Sequence, residues 1–444
     1  MNFKRIFIAV AAIVSLLLLC FVIYYRISIN KANSVPIHND ANWVIKIDGV
    51  EIGKELLGDL LFGGGDRGLT DSTQFRVVRG MTIPLLVYVY NTKEHPTSFF
   101  TAAILHDEKV LMSNLKHQNT WVPVDTFEHI YKNTESNFYI TYNRTHVFIA
   151  WNLNSPSAIR QFWEIAAGTN TTPYRRTSYY EELLGKGIVA ATNHIDNFFL
   201  DFKEDEIEIE GLLSWARHPE APLHLHKNSV KEHALWYSCI HTQTDLGLNS
   251  FVKFVPAVDS FMQVLIPPGN TNFCLQFDTT LVKYKETSVS YEYDDNFTKI
   301  TKELIVEHET PRVIAGFCTN GDLRYFADGS TSLVSRTYFP LFPLYYRNYG
   351  AYNVMSNADR FRNEFEQSRE SSCAFQWYTN VSQLKNFPPF NNYSGYIDIL
   401  SNIDLSGAYT GNDQIAVSGK IQLLPRHQNA LKTIYRHYSN IGFR

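Results

Sequence analysis

Charge is thinly spread in this chain. Lys and Arg number 40, Asp and Glu 44, and charged residues make up 19% of the 444 positions. The formal net charge is −4 and no basic block occurs, which argues against nucleic acid or another polyanion as a partner. Cysteine is scarcer still, with five residues and no C-x-x-C, so neither a redox dithiol nor a zinc knuckle has a basis in the sequence. Cys239, Cys274, Cys318 and Cys373 lie far apart and read as isolated buried thiols, although an oxidising compartment would allow two disulfides in three connectivities. The glycine-rich run 63–68 continues into Leu69-Thr70 where a phosphate loop needs Lys-Ser/Thr, and so reads as a turn. G-x-S-x-G, H-E-x-x-H and an EF-hand loop are also missing. No catalytic residue, no cofactor-binding residue and no cofactor are therefore expected.

What is present begins at the N-terminus. Lys4 and Arg5 precede Ile6–Tyr25, a run without a charge. Twenty apolar residues at ~1.5 Å each span roughly 30 Å, the thickness of a bilayer's hydrocarbon core. The run is longer than a cleaved signal's apolar region and has no A-x-A-like site, and Leu19 before Cys20 is bulky for a lipoprotein site. An uncleaved membrane anchor over 1–26 is the first reading, with a cleaved signal and a lipidated Cys20 as alternatives. Tyr24, Tyr25 and Arg26 suit the far interface. The expectation is a single-pass protein with its body on the extracytoplasmic (periplasmic) side. Residues 27–39, polar and broken by Pro36, read as a stalk.

The whole chain carries 26 Tyr and 30 Phe, is 45% hydrophobic, and can bury a sizeable β-rich core. It reads as one plan written twice. Asn193–Trp215 and Ser401–Leu423 align without a gap at an offset of 208, matching Ile195/Ile403, Asp196/Asp404, Asp205/Asp413, Ile207/Ile415 and Gly211/Gly419. Each reads as an antiparallel hairpin. Ser155-Pro156 caps a helix carrying Ile159, Phe162, Trp163 and Ala166 and ended by Gly168; Ser356-Asn357 is expected to cap its counterpart with Phe361 and Phe365. Trp43 and Trp236 mark short strands at the front of each copy. Leu56, Leu57, Leu60 and Leu61 suggest a helix over 51–62, and Leu431, Ile434, Tyr435 and Tyr438 a terminal one. Further hairpins are expected over Ser98–Leu111 and Val289–Leu304. The fold class is α+β: an N-terminal transmembrane helix, then two related units of antiparallel sheet with a few packed helices, over 40–215 and 232–444, joined by a connector at 216–231.

The unit-end hairpins and the start VPIHNDANWVIKIDG resemble the uncharacterised, single-anchor exported bacterial proteins built from two related α+β units and known as domains of unknown function. That resemblance implies the layout and carries no functional residue with it.

Two features invite a functional reading. His218, His224, His226, His233 and His241 fall within 24 residues; on an extended segment His224 and His226 would share a side, which makes His224, His226 and His233 candidate metal ligands. Tyr338–Tyr352 is dense in aromatics, and Tyr345, Tyr346 and Tyr349 are candidates for a partner-binding surface or a stacking platform for sugars. Glu206, Glu208 and Glu210 alternate with Ile207 and Ile209, so they line the solvated face of a strand. The expected function is a membrane-anchored envelope protein that binds or scaffolds another envelope component, possible partners being the membrane and another envelope protein. The alternative is a membrane-tethered hydrolase or metal-dependent enzyme using the His218–His241 cluster.

Overall fold

A computed structural model describes residues 26–53, 80–117, 120–124, 129–217, 222–225, 234–242, 271–293, 297, 299–318, 333–335, 342–361, 365–367, 372–386, 394–411, 413–425 and 428–441. The apolar run 6–25, residues 54–62 of the expected helix over 51–62 and the glycine run 63–68 lie outside them. Among the described residues no helix is long and apolar enough to cross a membrane. The body is sheet-dominated α+β with few helices, and it divides into two compact units, residues 1–202 and 203–444. The division falls ahead of 215, so the strand at Glu206–Ser214, which the sequence reading gives to the first unit, counts with the second.

The first unit contains strands β1 (Pro36–His38), β2 (Ala41–Asp48), β3 (Met81–Thr82), β4 (Leu86–Thr92), β5 (Phe99–Leu105), β6 (Trp121–Pro123), β7 (Tyr131–Asn133), β8 (Phe138–Tyr142), β9 (His146–Trp151), β10 (Thr171–Pro173), β11 (Val189–Thr192) and β12 (Asn197–Phe202). Its sheet runs β12–β11–β2–β4–β5–β9–β8–β7–β6, all antiparallel, with β3 extending the β4 side of β5. A separate pair, β1 with β10, lies off that sheet. Side chains alternate across β5. Phe100 and Ala102 join a core with Val44, Tyr88, Tyr90, Phe148 and the helix residues Phe162 and Ile165; Ala103 joins another with Leu111, Leu115 and Val147. Helix Pro156–Ala166 forms as expected: Ser155 Oγ accepts the Ala158 N–H at 3.1 Å, Pro156 takes the first turn, and Gly168 follows at φ +78°. Burial of Phe162, at 0% exposure, is worth roughly 2 kcal/mol.

The second unit contains β13 (Glu206–Ser214), β14 (Leu223–Leu225), β15 (Ala234–Thr242), β16 (Thr271–Tyr293), β17 (Lys299–Phe317), β18 (Tyr345–Asn348), β19 (Asn353–Ser356), β20 (Phe365–Gln367), β21 (Cys373–Asn380), β22 (Leu400–Tyr409) and β23 (Gln414–Leu423). Its sheet runs β13–β23–β22–β21–β15–β16–β17–β19–β18, again antiparallel throughout. The pair β14 with β20 stands apart. Strand for strand, β22–β21–β15–β16–β17–β19–β18 repeats the order β12–β11–β2–β4–β5–β9–β8 of the first unit, and β14 with β20 repeats β1 with β10. The terminal helix is present at Ala430–Ile441.

Four expectations change. Residues 27–39 are not a free stalk: 26–32 are helical, Ala32, Val35, Ile37 and His38 are buried, and β1 pairs with β10. The segment is held because its alternate apolar residues enter the core. The connector 216–231 contains β14, whose Leu223 is 2% exposed and packs with Tyr237, Ile314 and Phe365. The Ser98–Leu111 hairpin is absent. β5 leads into helix Glu108–His117, because Asp107 Oδ1 accepts the Val110 N–H at 3.0 Å and Leu111 and Leu115 fall on one buried face. The helix expected after Ser356 is absent among the described residues: Ser356 Oγ donates to Val313 O and Asn357 Oδ1 accepts the Val313 N–H, which ties the segment to β17, and Phe365 begins β20.

Cys239 and Cys274, opposite one another on β15 and β16, form a disulfide; Cys318, buried, and Cys373, half-buried, are outside it. Replacing both Cys239 and Cys274 by Ala, which opens a loop with a sequence separation of 35, is expected to lower the unfolding free energy of the second unit by about 3–4 kcal/mol, read from urea midpoints.

Candidate functional site

A polar face in the second unit lies where β13, β23, β22 and β21 run side by side. Cross-strand partners share a face, so the register arranges the side chains in rungs. One rung reads Glu208–Lys420–Asp404–Tyr378, the next Glu210–Ser418–Ser406, and the flanking one Glu206–Gln422–Asn402. Ile207, Ile209, Ile415 and Val417, between those positions, turn to the opposite side and are buried. Period-2 alternation thus yields a polar surface and an apolar underside from the same strands. The surface is hollowed into a groove of about 380 Å³ lined by these rungs.

Its floor depends on Gly419. A Cβ there would come within 2.5 Å of Asp404 O and would overlap Leu405, so β22 and β23 approach as closely as they do only with glycine at this position. Gly419 also carries the match to Gly211 seen in the sequence. β13 and β23, whose sequences align at an offset of 208, pair with Glu210 opposite Ser418, and 418 − 210 is that same offset. Each residue around that point faces the counterpart of the residue equally far on the other side of Glu210, so the strand pair has a local two-fold.

The electrostatics are directional. Lys420 Nζ meets Glu206 Oε1 at 3.0 Å and Glu208 Oε1 at 3.4 Å, and Lys203 also pairs with Glu208. Hydrogen bonds donated to Glu206 and then Glu208 hold the Lys420 ammonium above its ordinary pKa. Lys203, and then Lys420, hold the Glu208 carboxyl below its ordinary range. The groove lining contains three carboxylates, Glu208, Glu210 and Asp404, against the single cation Lys420. Asn402 Nδ2 donates to Gln422 Oε1 at 3.1 Å, and Ser406 and Ser418 hydroxyls meet at 3.4 Å. Tyr378 closes one side, half-buried, its phenol pushed up in pKa by burial and then by Asp404. The arrangement offers hydrogen-bond donors and acceptors fixed to adjacent strands, beside one aromatic ring.

The residues singled out from sequence lie elsewhere. His226 and His233 are outside the described residues, and of His224 only the backbone, in β14, is described. His241 is buried, and its carbonyl accepts from the Tyr409 hydroxyl at 2.5 Å. Among the described residues no group of three or more His, Cys, Asp or Glu is placed to hold a metal. Tyr345, Tyr346 and Tyr349 do not form one platform. Tyr345 packs against the core around Ile314 and Phe365, Tyr346 against Phe273 and Phe317, and Tyr349 is exposed in the following turn with its ring stacked on Tyr352. Tyr345 and Tyr346 are consecutive on β18 and so point to opposite faces. Sequence reasoning placed Glu206, Glu208 and Glu210 on a solvated face but had no means to bring Asp404 and Tyr378 beside them, since that requires the register.

Among the described residues, two imidazoles of the first unit are shifted. His38 is buried and lowered in pKa by desolvation, opposed by the charges of Asp40, Glu164 and Glu94; His146 is lowered by desolvation alone. Below their ordinary value of 6.5 the unfolded chain therefore takes up more protons than the folded one. Stability of the first unit is expected to be full above about pH 6.5 and to fall as pH drops from there to the folded pKa values, levelling below them. Unfolding midpoints between pH 7.5 and 5 check this, and a His38→Gln, His146→Gln double variant should show a flatter profile. Comparison of the chain with family models, with curated proteins and with solved structures gave no match.

Proposed function

We propose that the chain is a membrane-tethered envelope protein built from two copies of one α+β plan, and that its second unit binds a neutral or amino-bearing glycan strand along the groove of β13, β23, β22 and β21. The groove's composition carries this reading. Protein-binding hot spots are buried clusters of Trp, Tyr, Arg and apolar anchors. This groove has instead planar amides and carboxylates beside one ring, with hydroxyls between. Vicinal sugar hydroxyls can donate to Glu210, Asp404 and Gln422 and accept from Asn402, while a pyranose face stacks on Tyr378. Three carboxylates against one ammonium disfavour a polyanionic chain.

Other observations support the remaining parts of the reading. The apolar run Ile6–Tyr25 suits a tether, and the Cys239–Cys274 disulfide suits an oxidising compartment, which favours a body on the extracytoplasmic side. The shared strand order and the common offset at Glu210 and Ser418 support duplication.

Retention of the detergent-solubilised full chain on insoluble chitin (neutral) and on chitosan (amino-bearing) tests the glycan assignment. Asp404→Ala and Tyr378→Ala are each expected to weaken binding about tenfold or more, equivalent to ~1.4 kcal/mol. Retention unchanged in both variants, or a folded wild-type chain retained on neither polymer, overturns it.

A further inference from the structure

In the first unit, three side chains from two segments converge at the surface. Ser178 precedes the short helix Tyr179–Leu183, Glu182 lies on that helix, and His194 occupies the turn between β11 and β12. Ser178 Oγ stands 3.2 Å from His194 Nε2, and Glu182 Oε1 stands 2.6 Å from His194 Nδ1. A carboxylate only accepts, so this hydrogen bond assigns the ring proton to Nδ1 and leaves the Nε2 lone pair facing the serine hydroxyl. We propose that Ser178, His194 and Glu182 form a nucleophile–base–orienter set that cleaves accessible carboxylic esters by acyl transfer.

The surroundings fix the set rather than merely permit it. Thr192 Oγ1 donates to Glu182 Oε2 at 2.7 Å, so both carboxylate oxygens are occupied and the group cannot rotate away from the imidazole. The same Thr192 oxygen accepts the His194 N–H at 3.1 Å. The Tyr179 ring stacks on the imidazole, centroids 3.9 Å apart, and the Tyr179 hydroxyl is anchored to Ala41 O at 2.7 Å. His194 itself sits at φ +77°, a conformation a non-glycine residue adopts only when its neighbours hold it there. The His194 and Glu182 side chains keep 39% and 36% of their exposure and Ser178 is exposed, so a bulky ester carried on an extended chain can reach the hydroxyl.

The chemistry balances without any further reagent but water. Ser178 Oγ bonds to the ester carbonyl carbon as its proton passes to His194 Nε2; the carbon–oxygen bond to the alcohol breaks and Nε2 returns the proton to the departing alkoxide. Water, deprotonated by the same nitrogen, then releases the acid and regenerates Ser178. Glu182 holds the tautomer and faces the imidazolium that forms, and is a positioning residue.

The test uses the full chain in detergent with a fluorophosphonate probe and with p-nitrophenyl acetate. Labelling is expected on Ser178, located by peptide mass, and lost in Ser178→Ala. His194→Ala should slow both labelling and ester hydrolysis by roughly 100-fold or more, the usual worth of a general base. Glu182→Asp should retain more rate than Glu182→Gln at equal thermal midpoint, which a purely structural carboxylate would not produce. A folded wild-type chain that takes no probe, or a label that survives in Ser178→Ala, overturns the proposal.

Discussion

Both units depend on a central strand that is paired along each flank by segments distant in sequence. β2 lies between β4 and β11, with Ile47 opposite both Val87 and Val189; β15 lies between β16 and β21, with Tyr237 opposite both Gln276 and Tyr378. Their backbone groups are satisfied only once the late strands β11 and β21 return, so neither sheet is complete until most of its unit has been made. Lys46 ties this closure down in the first unit. Its side chain is buried, its ammonium donates to Leu183 O at 3.1 Å and Lys186 O at 2.6 Å, and burial lowers its pKa. A cation on the central strand therefore grips the carbonyls that lead into β11. The segment it grips also carries Glu182, so the position of that carboxylate traces back to the first strand of the sheet.

What could be read from the sequence divides along physical lines. Local signals succeeded: Ser155-Pro156 and Gly168 bracket a helix because capping involves only neighbours, and the alternation of Glu206, Glu208 and Glu210 with isoleucine declares two faces by itself. Signals that require a distant partner were misread. Asp107-Glu108-Lys109 looks like a hairpin turn until Leu111 and Leu115 find the β5–β9 face, and Ser356-Asn357 looks like a helix cap until both side chains are captured by β17. One usable signal was missed. Pro36-Ile37-His38 and Pro222-Leu223-His224 share a Pro-apolar-His pattern, and both open a small strand pair set apart from the main sheet. Aligned, they would have drawn the stalk and the connector into their respective units.

The groove and the Ser178 set were illegible for a further reason. Neither rests on a motif. Asp404 reaches Glu208 through two strand registers and the lysine between them, and Ser178 reaches His194 through a short helix and a left-handed turn residue. Sequence spacing does not encode such meetings; backbone pairing does. The disulfide is of the same kind, since Cys239 and Cys274 become neighbours only when β15 and β16 are brought into register.

Burial of Ala32, Val35, Ile37 and His38 would set the geometry of the proposed tether at a bilayer. A free stalk over 27–39, fully extended, could reach roughly 40–45 Å from the lipid surface. With Ala32 at 0% exposure, the stretch after Tyr25 that remains outside the core is a helical segment of about 10 Å rise. On the proposed tether the first unit would then sit close to the headgroups, with little lateral or vertical slack.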